Sequence, residues 1–199
     1  MSSWPSSAAG ITPPATNHLD SGDVRVAVAE LIHAGLCVIR PWQHADREAL
    51  VRYANNRQVW VNLRDQFPHP YTRADGDAWL AHAAAQDPVT SFAIVVAGEA
   101  AGGIGIAPQP DVHRRSAEVG YWLGEPFWNR GIMTAAVRAF TVHAFDAYDL
   151  IRIFAGVFSS NPASMRVLEK AGYTREGVLR RSVVKDGQIL DQVLYAVTR

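Results

Sequence analysis

The sequence predicts an α/β sandwich on a mixed sheet. Helix-spaced apolar residues come early, three strand-like segments follow one another in the middle, and the chain finishes strand, helix, strand, strand. Neither a doubly wound sheet nor an all-β barrel accommodates that order. With 199 residues and 48% hydrophobic composition, the chain can build one well-buried core and is short for two.

Residues 1–22 are rich in Ser, Pro, Ala and Thr, a composition that buries little and reads as a disordered tail, leaving 23–199 as a single domain. Val24, Val26 and Val28 alternate with Arg25, Ala27 and Ala29, which fits either an edge strand or the start of a helix. A clearer strand spans 36–42, closed by Pro41 and a turn-like Gln-His-Ala-Asp. The following ADREALVRYANN has the period and charge of an amphipathic helix. RDQFPHPYT is proline-punctuated and must be a loop, after which Thr72 can cap a helix over 73–85 with Trp79 and Leu80 inward. Strands are expected in SFAIVVAG, AAGGIGIAPQ and RSAEVGYWLG, then a helix over 131–146 and a strand in LIRIFAGVF. PASMRVLEKAG is helical, and two last strands flank the hairpin signal Asp186-Gly187.

Bulk properties exclude several classes. Nineteen basic and nineteen acidic residues cancel, so no global positive field exists to hold nucleic acid. Cys37 is the only cysteine, which excludes a disulfide framework, and no Cys or His pair has metal-ligand spacing, so no metal is expected. No apolar run reaches membrane-spanning length, and the first residues lack the basic lead and apolar core of a signal peptide. A soluble cytoplasmic protein is the expectation, and the apolar C-terminal strands are compatible with a homodimer.

The stretch FWNRGIMTAA holds the most informative feature, a helix that begins on glycine directly after a strand. A helix N-terminus presents unpaired N–H groups and partial positive charge, which suits phosphate. Glycine at position 131 lets an anion approach backbone that a Cβ would shield, and Arg130 adds a full charge. Gly131 as the mere enabler of a tight turn, and Arg130 as a solvated surface residue, are the competing readings. No P-loop pattern is present, and Gly102, Gly103 and Gly105 lie between strands without the spacing of a dinucleotide-binding turn.

AEVGYWLGEPFWNRGIMTAAV, followed by SSNPASMRVLEKAGYTREG, resembles the GNAT N-acetyltransferase superfamily and most of all its RimJ/RimL-type branch. VIRPWQHADREAL and the loop before Tyr71 resemble that branch too, so the likeness runs from about residue 36 to the C-terminus. It implies the GNAT fold: a mixed, mostly antiparallel, twisted sheet of about six or seven strands flanked by helices on both faces. It also implies that acetyl-CoA is the co-substrate. The superfamily signature falls on Trp128, Asn129, Arg130, Gly131, Ile132 and Met133, and Thr134 follows it on the helix; these residues are the expected pyrophosphate grip. Only Gly131 matches strictly, and Met133 replaces a small residue. Backbone around Tyr121, Trp122 and Leu123 is expected to hold the pantetheine and acetyl carbonyl, with a gap toward the strand at 151–158. Asn161 is an ordinary N-cap before Pro162, and by resemblance also lies at the cofactor arm.

Acetyl transfer to an amine needs a neutral nucleophile. Deprotonation at pH 7 costs about 1.4 kcal/mol for an α-amine and about 4.6 kcal/mol for a lysine, so a base helps both. Glu118 shares one strand face with Gly120 and Trp122, and a carboxylate in an apolar strand needs a reason. It is the candidate base, against the alternative of an ion pair with Arg114 or Arg115. Many family members place a tyrosine seven residues after the asparagine to protonate the thiolate; here that residue is Leu168, and Ser164 is the replacement candidate, against a purely structural first-turn serine. Phe67 and Tyr71 are the expected acceptor contacts, whereas Trp60 and Trp79 read as core. The acceptor that the resemblance implies is a primary amine, whether a protein N-terminus, an amino acid, a polyamine or a drug-like amine. With Cys37 in the first strand, direct transfer in a ternary complex is favoured over a covalent route. Another acyl-CoA donor, or a CoA-binding sensor that has lost catalysis, are the alternatives.

Overall fold

The computed structural model describes residues 31–199, and the segments 1–22 and 24–28 lie outside the described residues. A short hairpin opens the fold, β1 (Ile32–His33) against β2 (Val38–Pro41). β2 begins later than the expected residue 36 because the turn between the two strands takes those positions, with Leu36 N donating to Ala34 O at 2.8 Å. Asp46 then redirects the chain. Its buried carboxylate accepts from both terminal nitrogens of Arg40 at 2.7 Å and from Gln43 N at 2.8 Å, and α1 (Arg47–Ala54) starts immediately after.

Asn56 caps a one-turn helix, α2 (Arg57–Trp60), which lies beyond the amphipathic pattern read over 45–56; its Oδ1 accepts from Gln58 N at 2.7 Å. After the proline-rich loop, Thr72 and Asp75 cap α3 (Arg73–Ala84) reciprocally. Thr72 N donates to Asp75 Oδ2 at 2.8 Å, and Asp75 N donates to Thr72 Oγ1 at 3.3 Å.

β3 (Ser91–Val96), β4 (Glu99–Pro108) and β5 (Ser116–Leu123) form an antiparallel meander. Helix α4 (Ile132–Ala147) crosses the sheet and β6 (Arg152–Phe158) returns parallel to β5. Helix α5 (Pro162–Lys170) leads to the hairpin β7 (Thr174–Lys185) and β8 (Gln188–Thr198), which reverses at Asp186 and Gly187 with φ of 50° and 73°. Among the described residues the spatial order is β1-β2-β3-β4-β5-β6-β8-β7, eight strands, with β5–β6 the single parallel pairing. β1 is the strand that sequence patterning did not anticipate.

Alternation sorts the strands onto two cores. Phe92 and Ile94 of β3 join Val119 and Leu123 of β5 against Ile132, Ala136 and Phe140 of α4. Ala93 and Val95 face the other way, with Trp42, Leu50 of α1, Leu80 of α3 and Trp122. Helices therefore flank both faces, and each fully buried Ile, Leu or Phe contributes about 1.5–3 kcal/mol. The glycines of β4 belong to this packing. A Cβ on Gly103 would lie 2.9 Å from Trp122 Nε1 and 3.1 Å from Trp42, so its absence leaves room for both indoles against β4.

Two strands fail to stay together. β5 and β6 pair only at Ser116–Arg152, Ala117–Ile153 and Glu118–Phe154, after which the partners part, while β6 keeps pairing with β8 along its length. The gap expected beside the strand at 151–158 is this divergence.

Candidate functional site

A cavity of about 1130 Å³ occupies that split. Its walls include residues 118–123 of β5, 155–158 of β6, the turn into α4 and the first turns of α5 on one side, and α1, α3 and the 62–71 loop on the other. Because the strands part, groups from opposite faces of β5 line one space. Every residue named above as a site candidate lies on it: Phe67, Tyr71, Glu118, Tyr121 to Leu123, Trp128 to Thr134, Asn161 and Ser164.

The corner into α4 is built from backbone. Asn129 and Gly131 have φ of 58° and 75°, both left-handed, and the helix starts without a side-chain cap. Gly131 to Thr134 line the cavity, and the first-turn N–H groups of a helix have no intrahelical partner, the arrangement that favours an anion. Trp128 fastens the corner to the end of β5, its Nε1 donating to Leu123 O at 2.7 Å, so that carbonyl of Leu123 is already engaged. Arg130 is exposed and lies over the Phe127 ring, 5.8 Å from its centre. Ile132 is buried and Met133 packs against the core. Arg166 and Lys170, one turn apart and exposed on α5, also line the cavity; their i, i+4 spacing was the signal available for a second cationic patch.

Asn161 caps α5, its Oδ1 accepting from Ser164 N at 3.0 Å. That bond positions Ser164, whose Oγ lies 2.8 Å from the Tyr121 hydroxyl. Sequence reasoning gave Tyr121 a main-chain role only; the structure adds a phenol that burial pushes above its ordinary titration range, against a lowering by the bond to Ser164. Leu168, where a tyrosine is common in the family, is fully buried in the core.

Glu118 is ion-paired, but neither with Arg114 nor with Arg115. Its Oε1 accepts from Nη2 of Arg64, delivered by the loop after α2, while Arg115 pairs with Asp149 at 2.8 Å. Arg64 was not singled out in the sequence, since it stands in an irregular loop where no periodicity assigns a direction. The Glu118 side chain is 12% exposed, and its Oε2 has no hydrogen-bond partner among the described residues.

The aromatics divide differently from expectation. Tyr71 is 5% exposed and belongs to the core that Leu50 and Leu80 build, though its edge reaches the cavity. Trp79, read as core, is half-buried and lines the cavity beside it. Phe67 stands between Tyr71 and Trp122, with ring centres 5.0 and 5.6 Å away. Trp60 faces elsewhere, stacked on His69 with Lys185 Nζ 3.6 Å from its ring centre.

A family model described as "Acetyltransferase (GNAT) domain" matches residues 37–174. The chain is 43% identical over 83 residues to "Probable N-acetyltransferase YjcK" of Bacillus subtilis, covering 42% of this chain and 46% of that protein. It is 32% identical over 82 residues to the ribosomal-protein-serine acetyltransferase of Escherichia coli, covering 41% and 46%. The chain thus spans about half the length of the curated relatives it matches. Among solved structures, Mycobacterium smegmatis RimJ in complex with CoA-disulfide is similar at a TM-score of 0.73 and 28% identity, covering 85% of each chain.

Proposed function

Since the chain belongs to the GNAT acetyltransferase domain family, we propose that it transfers the acetyl group of acetyl-CoA to a primary amine, directly, with both substrates bound at once. The observation that carries this reading is the uncapped start of α4 at Gly131, opening onto the same cavity as Glu118 and the Ser164–Tyr121 pair. The M. smegmatis RimJ structure, which holds a CoA-disulfide, supports the choice of coenzyme. The B. subtilis relative YjcK, a probable N-acetyltransferase, supports an amine acceptor.

The residues present fit the coenzyme. First-turn amides of α4 and the cations Arg130, Arg166 and Lys170 would hold its phosphates, and the gap between β5 and β6 would take its arm. When bound, acetyl-CoA supplies an activated thioester. Glu118 takes a proton from the amine through Oε2 as the bond from nitrogen to the acetyl carbon forms. The Tyr121–Ser164 hydroxyl pair gives a proton to the sulfur as the carbon–sulfur bond breaks. Cys37 supports direct transfer, because it is buried beside β2 and absent from this cavity.

Titration with CoA, followed by thiol release across an amine panel, tests the reading. Micromolar binding and turnover with at least one amine are expected. Glu118→Gln should lower kcat by about 10²-fold or more and remove the acid limb of the pH profile. Binding without turnover would favour a CoA-sensing role, and no binding at millimolar CoA defeats both.

A further inference from the structure

Building on that transferase reading, we infer that the acceptor is a free α-amino acid with an apolar or aromatic side chain, its carboxylate held by Arg64. The argument starts from the way Arg64 meets Glu118. Nη2 donates to Oε1, and no other hydrogen bond among the described residues engages Nη1 or Nε of Arg64, or Oε2 of Glu118. A cation and an anion in contact share the cavity wall, each with bonding capacity left over. An α-amino acid carries the complementary pair, ammonium and carboxylate on one carbon. Aligned head to tail, it sets its nitrogen against Glu118, where the base is needed, and its carboxylate against the open edge of the guanidinium fork. A peptide N-terminus offers that edge only a neutral carbonyl, and a simple alkylamine offers it nothing.

Arg64 is held in place before any ligand arrives. The neighbouring Asp65 accepts from Lys185 Nζ at 2.7 Å, and Lys185, at the tip of the β7–β8 hairpin, is 2% exposed with its ammonium over Trp60. The hairpin thereby pins the segment from 60 to 65, so ordering the guanidinium costs little on binding. Of the arginines and lysines lining the cavity, Arg130, Arg166 and Lys170 belong to the α4–α5 end, which leaves Arg64 to the acceptor side. Asp75, on that side, is engaged in the cap of α3. Phe67, Tyr71, Trp79 and Trp122 supply aromatic surface on the same cavity, suited to a side chain leaving the α-carbon.

Thiol release from acetyl-CoA is compared for L-phenylalanine, L-phenylalaninamide and a peptide beginning with phenylalanine, in the wild type and in Arg64→Gln. The acid should exceed the amide in kcat/KM by at least about tenfold in the wild type, and the ratio should approach one in the variant. Calorimetry with N-acetyl-L-phenylalanine, which has the carboxylate and no amine, should show at least about tenfold weaker binding to Arg64→Gln. Arg64→Lys, which keeps the charge and loses the fork, serves if the glutamine variant does not fold. A wild type that prefers amide or peptide, or an acid-to-amide ratio that survives the substitution, overturns the inference and leaves the transferase reading standing. No thiol release with any amine overturns both.

Discussion

Replacing Gly131 by alanine separates turn geometry from anion access at the start of α4. The φ of 75° is left-handed, and a Cβ there would meet only Leu36 Cδ1 at 3.6 Å, an ordinary van der Waals contact. The loss of stability is therefore that of the backbone alone, about 1–2 kcal/mol, or about 2–8 °C in melting temperature for a chain of this size. Gly98 provides a matched control. It lies in the turn between β3 and β4 with φ of 86°, has nothing within 4 Å of its would-be Cβ, and does not line the cavity. Both alanine variants should lose similar stability by scanning calorimetry. CoA affinity should distinguish them: a methyl added beside the first-turn amides should raise Kd at least about tenfold, whereas Gly98→Ala should leave Kd unchanged. If both variants melt earlier and Gly131→Ala still binds CoA as tightly as the wild type, the glycine serves the turn only.

Three further outcomes are expected. Tyr121→Phe and Ser164→Ala should each lower kcat by about tenfold or more, and because one hydrogen bond couples them, the double variant should fall little below the worse single; additive losses would show independent roles. Lys185→Met keeps the buried stem and strands no buried charge, since Asp65 is exposed. Stability should change by no more than about 1 kcal/mol while acceptor KM rises several-fold, and an unchanged KM would show that the hairpin does not position Arg64. Burial pushes the Cys37 thiol up to about 11, so a disulfide reagent at pH 8 should label it only as fast as the fold opens. The protonated thiol favours the folded state, so its contribution is intact below about pH 8.5 and is lost as pH rises toward 11. Cys37→Ala should flatten that part of the curve, and rapid labelling of the native protein would contradict the burial.

Local chemistry made most of the architecture readable. Thr72 and Asp75 advertise the start of α3, Asp186-Gly187 the last hairpin, and the apolar spacing from Ile132 to Ala144 the long helix. β1, two residues long, carries no period, and α2 is a single turn defined by its Asn56 cap. The glycine corner at the start of α4 was legible because a glycine before a helix has few uses. Arg64 was not, since its partner Glu118 is 54 residues away and only the loop's path joins them. The Tyr121 hydroxyl was hidden for a similar reason: a strand position gives a face, and the partner on α5 depends on how the helix docks.

The parting of β5 from β6 bears on how this molecule can diverge. Where strands separate, the edges left facing the gap are peptide groups, which every residue except proline carries alike. A receptor written in peptide groups is nearly blind to side-chain replacement. Substitution at Gly120, which is exposed and has nothing within 4 Å of a would-be Cβ, should therefore be quiet, whereas bulk invades at Gly156, where an added Cβ would come within 2.2 Å of Gln192 Nε2. Side chains at such a position would be free to change while a main-chain contact persisted.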